Sequence, residues 1–127
     1  MAVQTRIEWL KKFSGTDLED LCDLILNYEI DGVIATNTTV DYKVLKTMPS
    51  QINGGVSGKP LLNKSNKIIK EIKNYVGDKI KIIGTGGITS SESAMSKLNS
   101  GADLLQMYTG LVYKGSSLIK DITSGLK

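Results

Sequence analysis

The chain has 127 residues, enough for one domain, and no apolar run approaches the roughly 20 residues that span a bilayer, so we expect a soluble, cytoplasmic protein. Its 40% hydrophobic and 23% charged residues are ordinary globular values, and a formal charge of +3 without a block of like charges argues against a nucleic-acid partner. With one cysteine, Cys22, and no histidine, we expect no disulfide within the chain and no metal, so a cofactor would supply any chemistry.

Residues 1–13 (MAVQTRIEWLKKF) show no clear period, and the sequence assigns them no element. Thr16 and Glu19 form a candidate capping box, and apolar residues at helical spacing follow. These signals predict a helix over residues 17–28. The next run, DGVIAT at residues 31–36, is apolar on both faces and therefore predicts a buried parallel strand.

A polar loop then leads to GGVSGKP, after which a second helix is predicted by Ile68, Ile69, Ile72 and Val76. KIKIIGT is the next buried strand. Thr89 and Glu92 form a second candidate capping box, which opens a third helix that Gly101 ends. ADLLQMY is the third strand, and residues from about 116 onward form a last short helix.

This alternation of helices and strands predicts a parallel α/β fold, in which functional residues gather at the carboxyl ends of the strands. The first strand ends in TNTT, with Thr36 and Asn37 among its short polar side chains. Such a cluster suits a polar planar ligand. It suits equally well an Asx or Ser/Thr turn that satisfies its own backbone.

The second strand ends in GTGGI, where Gly86 and Gly87 leave backbone N–H groups open to close approach. The N-terminus of the following helix would add partial positive charge, so the pattern favours an anion such as a phosphate. A tight turn without a ligand is the alternative. The third strand ends in Tyr108, Thr109 and Gly110, and two such neighbouring ends match the usual phosphate site of a (β/α)₈ barrel.

Five motifs, in this order and spacing, closely resemble the C-terminal part of dihydroorotate dehydrogenase of the membrane-associated, quinone-using class: DGVIATNTT, GGVSGKPL, IIGTGGI, GADLLQMYTG and KGSSLIKDI. The resemblance covers about residues 29–127. It implies an α/β fold, the C-terminal half of an FMN-binding (β/α)₈ TIM barrel. The three predicted strands would be barrel strands 6, 7 and 8.

The resemblance also implies roles at matching positions. Thr36 would contact the flavin of FMN, while Asn37 and Thr38 would hold the ring of dihydroorotate or orotate. The phosphate region of FMN would lie against Gly58, Gly87, Tyr108 and Thr109. In the family reaction, dihydroorotate gives a hydride to FMN while a protein base removes the neighbouring proton, and electrons then pass to a quinone.

Family members carry that base, a serine, on a loop before the stretch that matches, so the resemblance implies no catalytic residue in this chain and no activity of the chain alone. The family's KxAPD motif also has no counterpart, because residues 6–13 are RIEWLKKF with Glu8 near the lysine's expected place. We therefore treat residues 1–13 as an atypical segment, either replaced sequence or, as we favour, a disordered tail. Residues 14–127 form the partial barrel domain.

Two functions remain open. The chain is a fragment of a quinone-dependent dihydroorotate dehydrogenase, an enzyme of pyrimidine biosynthesis that is peripheral on the inner membrane, or it is a non-catalytic half-barrel. The half-barrel would bind FMN or another phosphorylated ligand, or would assemble with another chain. We also expect self-association through exposed strand edges, because the barrel interior would no longer cover Ile34, Ile82, Ile83, Leu104, Leu105 and Met107.

Overall fold

The computed structural model describes residues 2–4, 15–47 and 54–126. Within them the strands are β1 Ala2–Gln4, β2 Gly32–Ala35, β3 Lys81–Thr85 and β4 Leu104–Gln106. The helices are α1 Gly15–Asn27, α2 Leu62–Val76, α3 Ser91–Asn99, α4 Thr109–Lys114 and α5 Ser117–Gly125. Two short 3₁₀ turns, Tyr42–Val44 and Lys59–Leu61, precede α2. The predicted order of helices and strands is confirmed from α1 to β4, and β1 and α4 are additional elements.

The described strands form one parallel sheet in the order β1-β2-β3-β4. Val33 of β2 lies opposite Val3 of β1 on one side and Ile82 of β3 on the other. β4 continues the sheet beyond β3, with Leu105 opposite Gly84. Each strand thus lies beside the next one in sequence, which is the order of neighbouring strands in a (β/α)₈ barrel. If β2, β3 and β4 are barrel strands 6, 7 and 8, β1 takes the place of strand 5.

β1 corrects the expectation for the start of the chain. The sequence assigned no element to residues 1–13 and favoured a disordered tail, yet Ala2–Gln4 pairs with β2 over its whole length. A three-residue strand has no period that could reveal it, and its partner lies beyond the first helix. Residues 5–14, which include Glu8 and the stretch compared with KxAPD, lie outside the described residues.

The main hydrophobic core lies between the sheet and helices α1 and α2. α2 buries the four apolar residues that predicted it, Ile68, Ile69, Ile72 and Val76. From the sheet, Val33 and Ile82 are completely buried, as is Cys22 of α1. Burial raises the pKa of the Cys22 thiol to about 11, so this thiol stays protonated and unreactive at neutral pH.

The opposite face of the sheet is largely uncovered in the described part of the chain. Ile34, Ile83 and Leu104 lie side by side on it because they are paired in register, and Leu104 is 58% exposed. This is the face that points into a barrel. We also expected Ile82 and Leu105 on this face, which is wrong, because alternate residues of a strand point to opposite faces. Ile82 is buried with the helices, and Leu105 packs against both core clusters.

Of the predicted helix-end signals, the one at Gly101 is confirmed and the one at Thr89 and Glu92 is wrong. Gly101 follows α3 with a positive φ of 108°, as expected for a glycine just after a helix. The capping box expected at Thr89 and Glu92 lies elsewhere, because Ser90 is the N-cap and Ser93 is its partner. The other proposed capping box involves a side chain, that of Thr16, outside those described.

The end of the chain forms two helices, α4 and α5, where the sequence predicted one from about residue 116. α5 packs against α3 through a second small core made of Ile88, Ala94, Leu118 and Ile122. Because Ile88 lies in the turn after β3, this core fixes that turn against the C-terminal helices. No helix in the described part of the chain is both long and apolar enough to cross a bilayer.

Candidate functional site

A cleft of about 310 Å³ opens at the carboxyl ends of β2, β3 and β4. This volume is at the lower end of the range for small-molecule sites. All seven residues that the resemblance assigned to ligands line this cleft: Thr36, Asn37, Thr38, Gly58, Gly87, Tyr108 and Thr109. The sheet thus brings them together although they are spread over more than half of the chain. Gly86, which the sequence paired with Gly87 as an anion site, also lines it, as do Ser57 and Gln106, to which the sequence assigned no role.

Thr36, just after β2, is 2% exposed and is held through its backbone. Its N–H donates to the carbonyl oxygen of Thr85 at 3.3 Å. Its Oγ1 is buried and has no hydrogen-bond partner among the described residues. A buried hydroxyl without a partner costs roughly 1–3 kcal/mol. Because Thr36 lines the cleft, its hydroxyl is placed to form its missing hydrogen bond with a ligand.

The sequence left two interpretations of the TNTT segment open, a ligand site and a local Asx or Ser/Thr turn, and the rest of the segment combines both. Asn37 and Thr38 are half-buried and line the cleft, with Asn37 Oδ1 accepting a hydrogen bond from the Thr38 N–H at 2.7 Å. Thr39 is completely buried outside the cleft lining, and its Oγ1 accepts a hydrogen bond from the Asp41 N–H at 3.1 Å. Thr39 therefore serves a local turn, whereas the residues before it face the cleft.

The GGVSG segment reaches the cleft through an antiparallel bridge between Thr39 and Val56, whose two N–H···O distances are 3.2 and 2.7 Å. Next to this bridge, Ser57 Oγ accepts a hydrogen bond from Thr109 Oγ1 at 3.0 Å. Gly58 has a φ of 77°, and a Cβ there would lie 2.9 Å from the Thr109 methyl group. These contacts join the loop before α2 to the beginning of α4.

Gly86 and Gly87 form the turn after β3, with φ values of 96° and 82°. A Cβ at Gly87 would lie 2.6 Å from the backbone nitrogen of Leu62, so α2 occupies the space that this glycine leaves. The close approach that the sequence attributed to a ligand is therefore made by the protein's own chain. The N–H groups of Gly86 and Gly87 make no hydrogen bond within the described residues. Successive free N–H groups of this kind suit an anion.

We expect Gly87→Ala to lower the free energy of unfolding more than Gly77→Ala. Both glycines have positive φ, 82° and 60°, which costs an L-residue about 1–2 kcal/mol. A Cβ at Gly87 would also collide with Leu62, whereas nothing lies within 4 Å of a Cβ at Gly77. Overpacking of this kind adds roughly 1–3 kcal/mol. Denaturant unfolding of the two variants measures the difference, and equal losses would show that Leu62 does not restrict this turn.

The end of β4 contributes an exposed tyrosine and a closely packed glycine to the cleft. Tyr108 is 80% exposed, and Thr109 begins α4. Gly110 is buried against the carbonyl oxygen of Ile88 and the side chain of Leu118, where a Cβ would not fit. The two strand ends that the sequence compared with a phosphate site are thus in direct contact through Gly110 and Ile88.

The N-terminus of α3, which the sequence added to the anion site, is capped by two serines and lies outside the cleft lining. Ser93 Oγ accepts hydrogen bonds from the N–H groups of Thr89 and Ser90, at 2.8 and 2.9 Å. In return, Ser90 Oγ accepts a hydrogen bond from the Ser93 N–H at 3.3 Å. Donors for an anion therefore come from the glycine turn itself.

Lys97 is a residue that the sequence gave no reason to single out. It lies on α3 and is completely buried, and its Nζ donates to Ser65 Oγ at 2.8 Å and to the Thr85 carbonyl oxygen at 3.4 Å. The available signal was Gly84, since a glycine within a buried strand often marks a place where another group approaches closely. Lys97 touches the carbonyl group that precedes the glycine turn.

None of the described residues that line the cleft has a charged side chain. An anionic group could enter it without meeting a carboxylate, and neutral N–H and hydroxyl donors would hold that group. Among the described residues, no group of three or more Asp, Glu, Cys or His side chains is placed to hold a metal ion.

A sequence model of the family described as dihydroorotate dehydrogenase matches residues 12–127. Dihydroorotate dehydrogenase (quinone) of Legionella pneumophila strain Corby is 52% identical over 110 residues, which are 86% of this chain and 33% of that protein. The enzyme of the same description from Aliivibrio salmonicida is 41% identical over 111 residues, 87% of this chain and 33% of that protein.

Two solved structures also match this chain. The crystal structure of ligand-free DHODH from Eimeria tenella superposes with a TM-score of 0.80 at 27% identity, covering 90% of this chain and 32% of that chain. The structure of the Eimeria tenella enzyme in complex with ferulenol gives a TM-score of 0.81 at 28% identity. The chain thus spans about a third of the length of the relatives that it matches.

Proposed function

This chain belongs to the dihydroorotate dehydrogenase family, and we propose that it forms the FMN phosphate site of a quinone-dependent member of that family. The corresponding whole enzyme oxidises dihydroorotate to orotate in pyrimidine biosynthesis, with a quinone as the electron acceptor. FMN, when bound, supplies the redox chemistry, which suits a chain without histidine. The whole enzyme would be peripheral on the inner membrane, where it meets its quinone.

Three features of the cleft support FMN as its ligand. The buried Thr36 hydroxyl lacks a partner among the described residues and would form one hydrogen bond with the flavin. The N–H groups of Gly86 and Gly87 are available for a phosphate. No carboxylate in the lining would repel the phosphate charge. The Thr36 hydroxyl is the observation that carries the proposal, because it is buried without a partner among the described residues and a hydrogen bond to a ligand in the cleft would offset that cost.

The proposed roles follow from these positions. Thr36 contacts the flavin, and Asn37 and Thr38 hold the ring of dihydroorotate or orotate. The phosphate lies against Gly58 and Gly87 and near Tyr108 and Thr109. The Ser57 to Thr109 hydrogen bond keeps two of these segments together. No described residue of the cleft is proposed as the catalytic base.

A second candidate function is a non-catalytic half-barrel. The uncovered sheet face, with Leu104 58% exposed, favours it, because a chain with this face open needs another chain to cover the apolar residues. Such an assembly would bind FMN or another phosphorylated ligand without oxidising dihydroorotate.

The Thr36→Val variant tests the proposal directly. Valine removes the hydroxyl at nearly constant shape, so we expect the free energy of unfolding to be unchanged or raised, since an unpaired buried group is lost. Affinity for FMN should fall roughly three- to tenfold, which corresponds to the net free energy of one hydrogen bond. Quenching of flavin fluorescence measures the affinity, and denaturant unfolding measures the stability.

Thr39→Val is the matched control. It removes a buried hydroxyl three positions away that accepts a hydrogen bond from the Asp41 N–H and lies outside the cleft lining. We expect it to lower the free energy of unfolding by about 1 kcal/mol and to leave FMN affinity unchanged. The opposite result, FMN affinity reduced only in Thr39→Val, would contradict the assignment of Thr36.

A further inference from the structure

Lys97 is a completely buried lysine whose stem passes over the middle of the sheet. A Cβ at Gly84 would lie 2.6 Å from Lys97 Cγ and 2.8 Å from Cδ, so the absence of a side chain at Gly84 is what admits the lysine. Ala102 lies at the same place, 2.8 Å from that Cβ position. The Lys97 side chain therefore packs in the space beside Gly84 and Ala102 and extends from α3 to the end of β3.

Lys97 ends at the carbonyl oxygen of Thr85, which receives three donors. The Ser65 hydroxyl donates to it at 2.5 Å, Lys97 Nζ at 3.4 Å and the Thr36 N–H at 3.3 Å. Lys97 Nζ also donates to Ser65 Oγ at 2.8 Å. One carbonyl group thus connects the end of β2 with α2, α3 and β3. Since the next residue is Gly86, these bonds fix the first peptide group of the glycine turn.

The orientation of that peptide group follows from its trans geometry. In a trans peptide the C=O and N–H bonds point in opposite directions. With its oxygen held by Ser65 and Lys97, the peptide group presents the N–H of Gly86 on the side away from both. Hydrogen bonds that donate to the oxygen polarise the same peptide group and strengthen its N–H as a donor.

No carboxylate of the described residues balances the charge of Lys97. Burial alone lowers its pKa from the ordinary value to about 8, so the amine is largely protonated at pH 7. The charged side chains of the elements around it have other partners or lie in solvent. Lys64 pairs with Asp41, Lys67 with Glu71, Lys73 with Asp78 and Lys81 with Asp103, while Lys70 and Glu92 are exposed.

We infer that Lys97 is a positioning residue for the phosphate site, which fixes the turn of Gly86 and Gly87 through the Thr85 carbonyl group and supplies the positive charge that the cleft lining lacks. A buried cation without a counter-charge is unfavourable, and an anion bound at the adjacent turn would offset that cost. The inference rests on the proposed function, because it assumes that the anion at this turn is the phosphate of FMN.

The Lys97→Met variant tests this inference, with FMN and riboflavin as probes. Methionine retains most of the apolar stem and removes the charge, so the variant should be at least as stable as the wild type. FMN affinity should fall about tenfold. Riboflavin, which has no phosphate, should bind equally to both proteins. Lys70→Met, which removes an exposed lysine of α2, controls for the change in net charge and should leave both affinities unaltered.

Unchanged FMN affinity in a folded Lys97→Met protein would overturn the inference. So would an equal loss of affinity for FMN and riboflavin, because a general disturbance of the fold would not distinguish the two ligands. Lower stability together with unchanged FMN affinity would show that the lysine only supports the fold.

A second measurement needs neither FMN nor a folded variant. The amide resonance of Gly86 in the wild-type protein without flavin should move between pH 7 and pH 9 as Lys97 loses its proton, with a midpoint near 8. If the wild type binds no FMN but this resonance titrates, the proposed function fails and the coupling of Lys97 to the turn stands. A resonance that does not move with pH would overturn the coupling whether or not FMN binds.

Discussion

Supplied with FMN and a quinone, the 127-residue chain alone is expected to oxidise dihydroorotate at least roughly 10²–10⁴-fold more slowly than a full-length relative. The expected reason is the catalytic base, which we propose is not part of this chain. By family resemblance the serine that removes the proton precedes the matched region, and the chain spans about a third of the relatives' length. Steady-state turnover, with the Legionella pneumophila enzyme as the comparison, measures the difference.

The flavin content of the same samples is the necessary control. A chain that holds FMN and still fails to oxidise dihydroorotate would locate the defect in the absence of the base and not in flavin binding. Turnover near that of the full-length relative would mean that a residue of this chain acts as the base. Our proposal that the base lies outside this chain would then be wrong.

The second large effect concerns assembly. We expect the wild-type chain to dimerise so as to approximate a full barrel, or else to be marginally folded and prone to aggregation, because the described residues only partly cover the apolar face of Ile34, Ile83 and Leu104. Among the described strands, β1 and β4 each pair on one side only, which adds two free edges. Light scattering coupled to size exclusion should therefore give a mass well above 13.8 kDa.

Leu104→Lys should shift this protein toward the monomer by placing a charge on the exposed β4 side of the apolar face. Tyr113→Lys is the matched control, because Tyr113 is 84% exposed on α4 and lies outside that face. We expect it to leave the association unchanged. A monodisperse wild-type monomer of 13.8 kDa with a sharp cooperative unfolding transition would contradict the account of this face.

The sequence predicted well those elements that have a local pattern of apolar residues. α2 has apolar residues at helical spacing, and β2 and β3 are continuous apolar runs, so each was located to within a few residues. β1 depends on pairing with β2, and three residues carry no such pattern. α4 contains Gly110 in its first turn, which argues against a helix by propensity. Its packing against Ile88 and Leu118 supplies the stabilisation that propensity does not.

In the candidate site, too, the sequence predicted some features, whereas others depend on how the chain packs. The strand ends could be found because parallel sheets place their functional residues there. The sequence could not show that Leu62 occupies the space beside Gly87, since this contact depends on how α2 packs on the turn. Nor could it show that Lys97 is buried, because a lysine is ordinarily a solvated charge. Gly84 makes that burial sterically possible, and only the fold brings the two together.

The binding of FMN and riboflavin to the wild-type chain, measured side by side by quenching of flavin fluorescence, tests most directly whether the cleft holds a phosphate. The two ligands share the flavin and the ribityl chain and differ in the phosphate alone. Hydrogen bonds from N–H groups to a charged acceptor are worth roughly 1.5–3 kcal/mol each, so FMN should bind at least tenfold more tightly than riboflavin. Equal affinity for the two ligands, or binding of neither, would contradict the central claim that the ends of β3 and β4 form the FMN phosphate site.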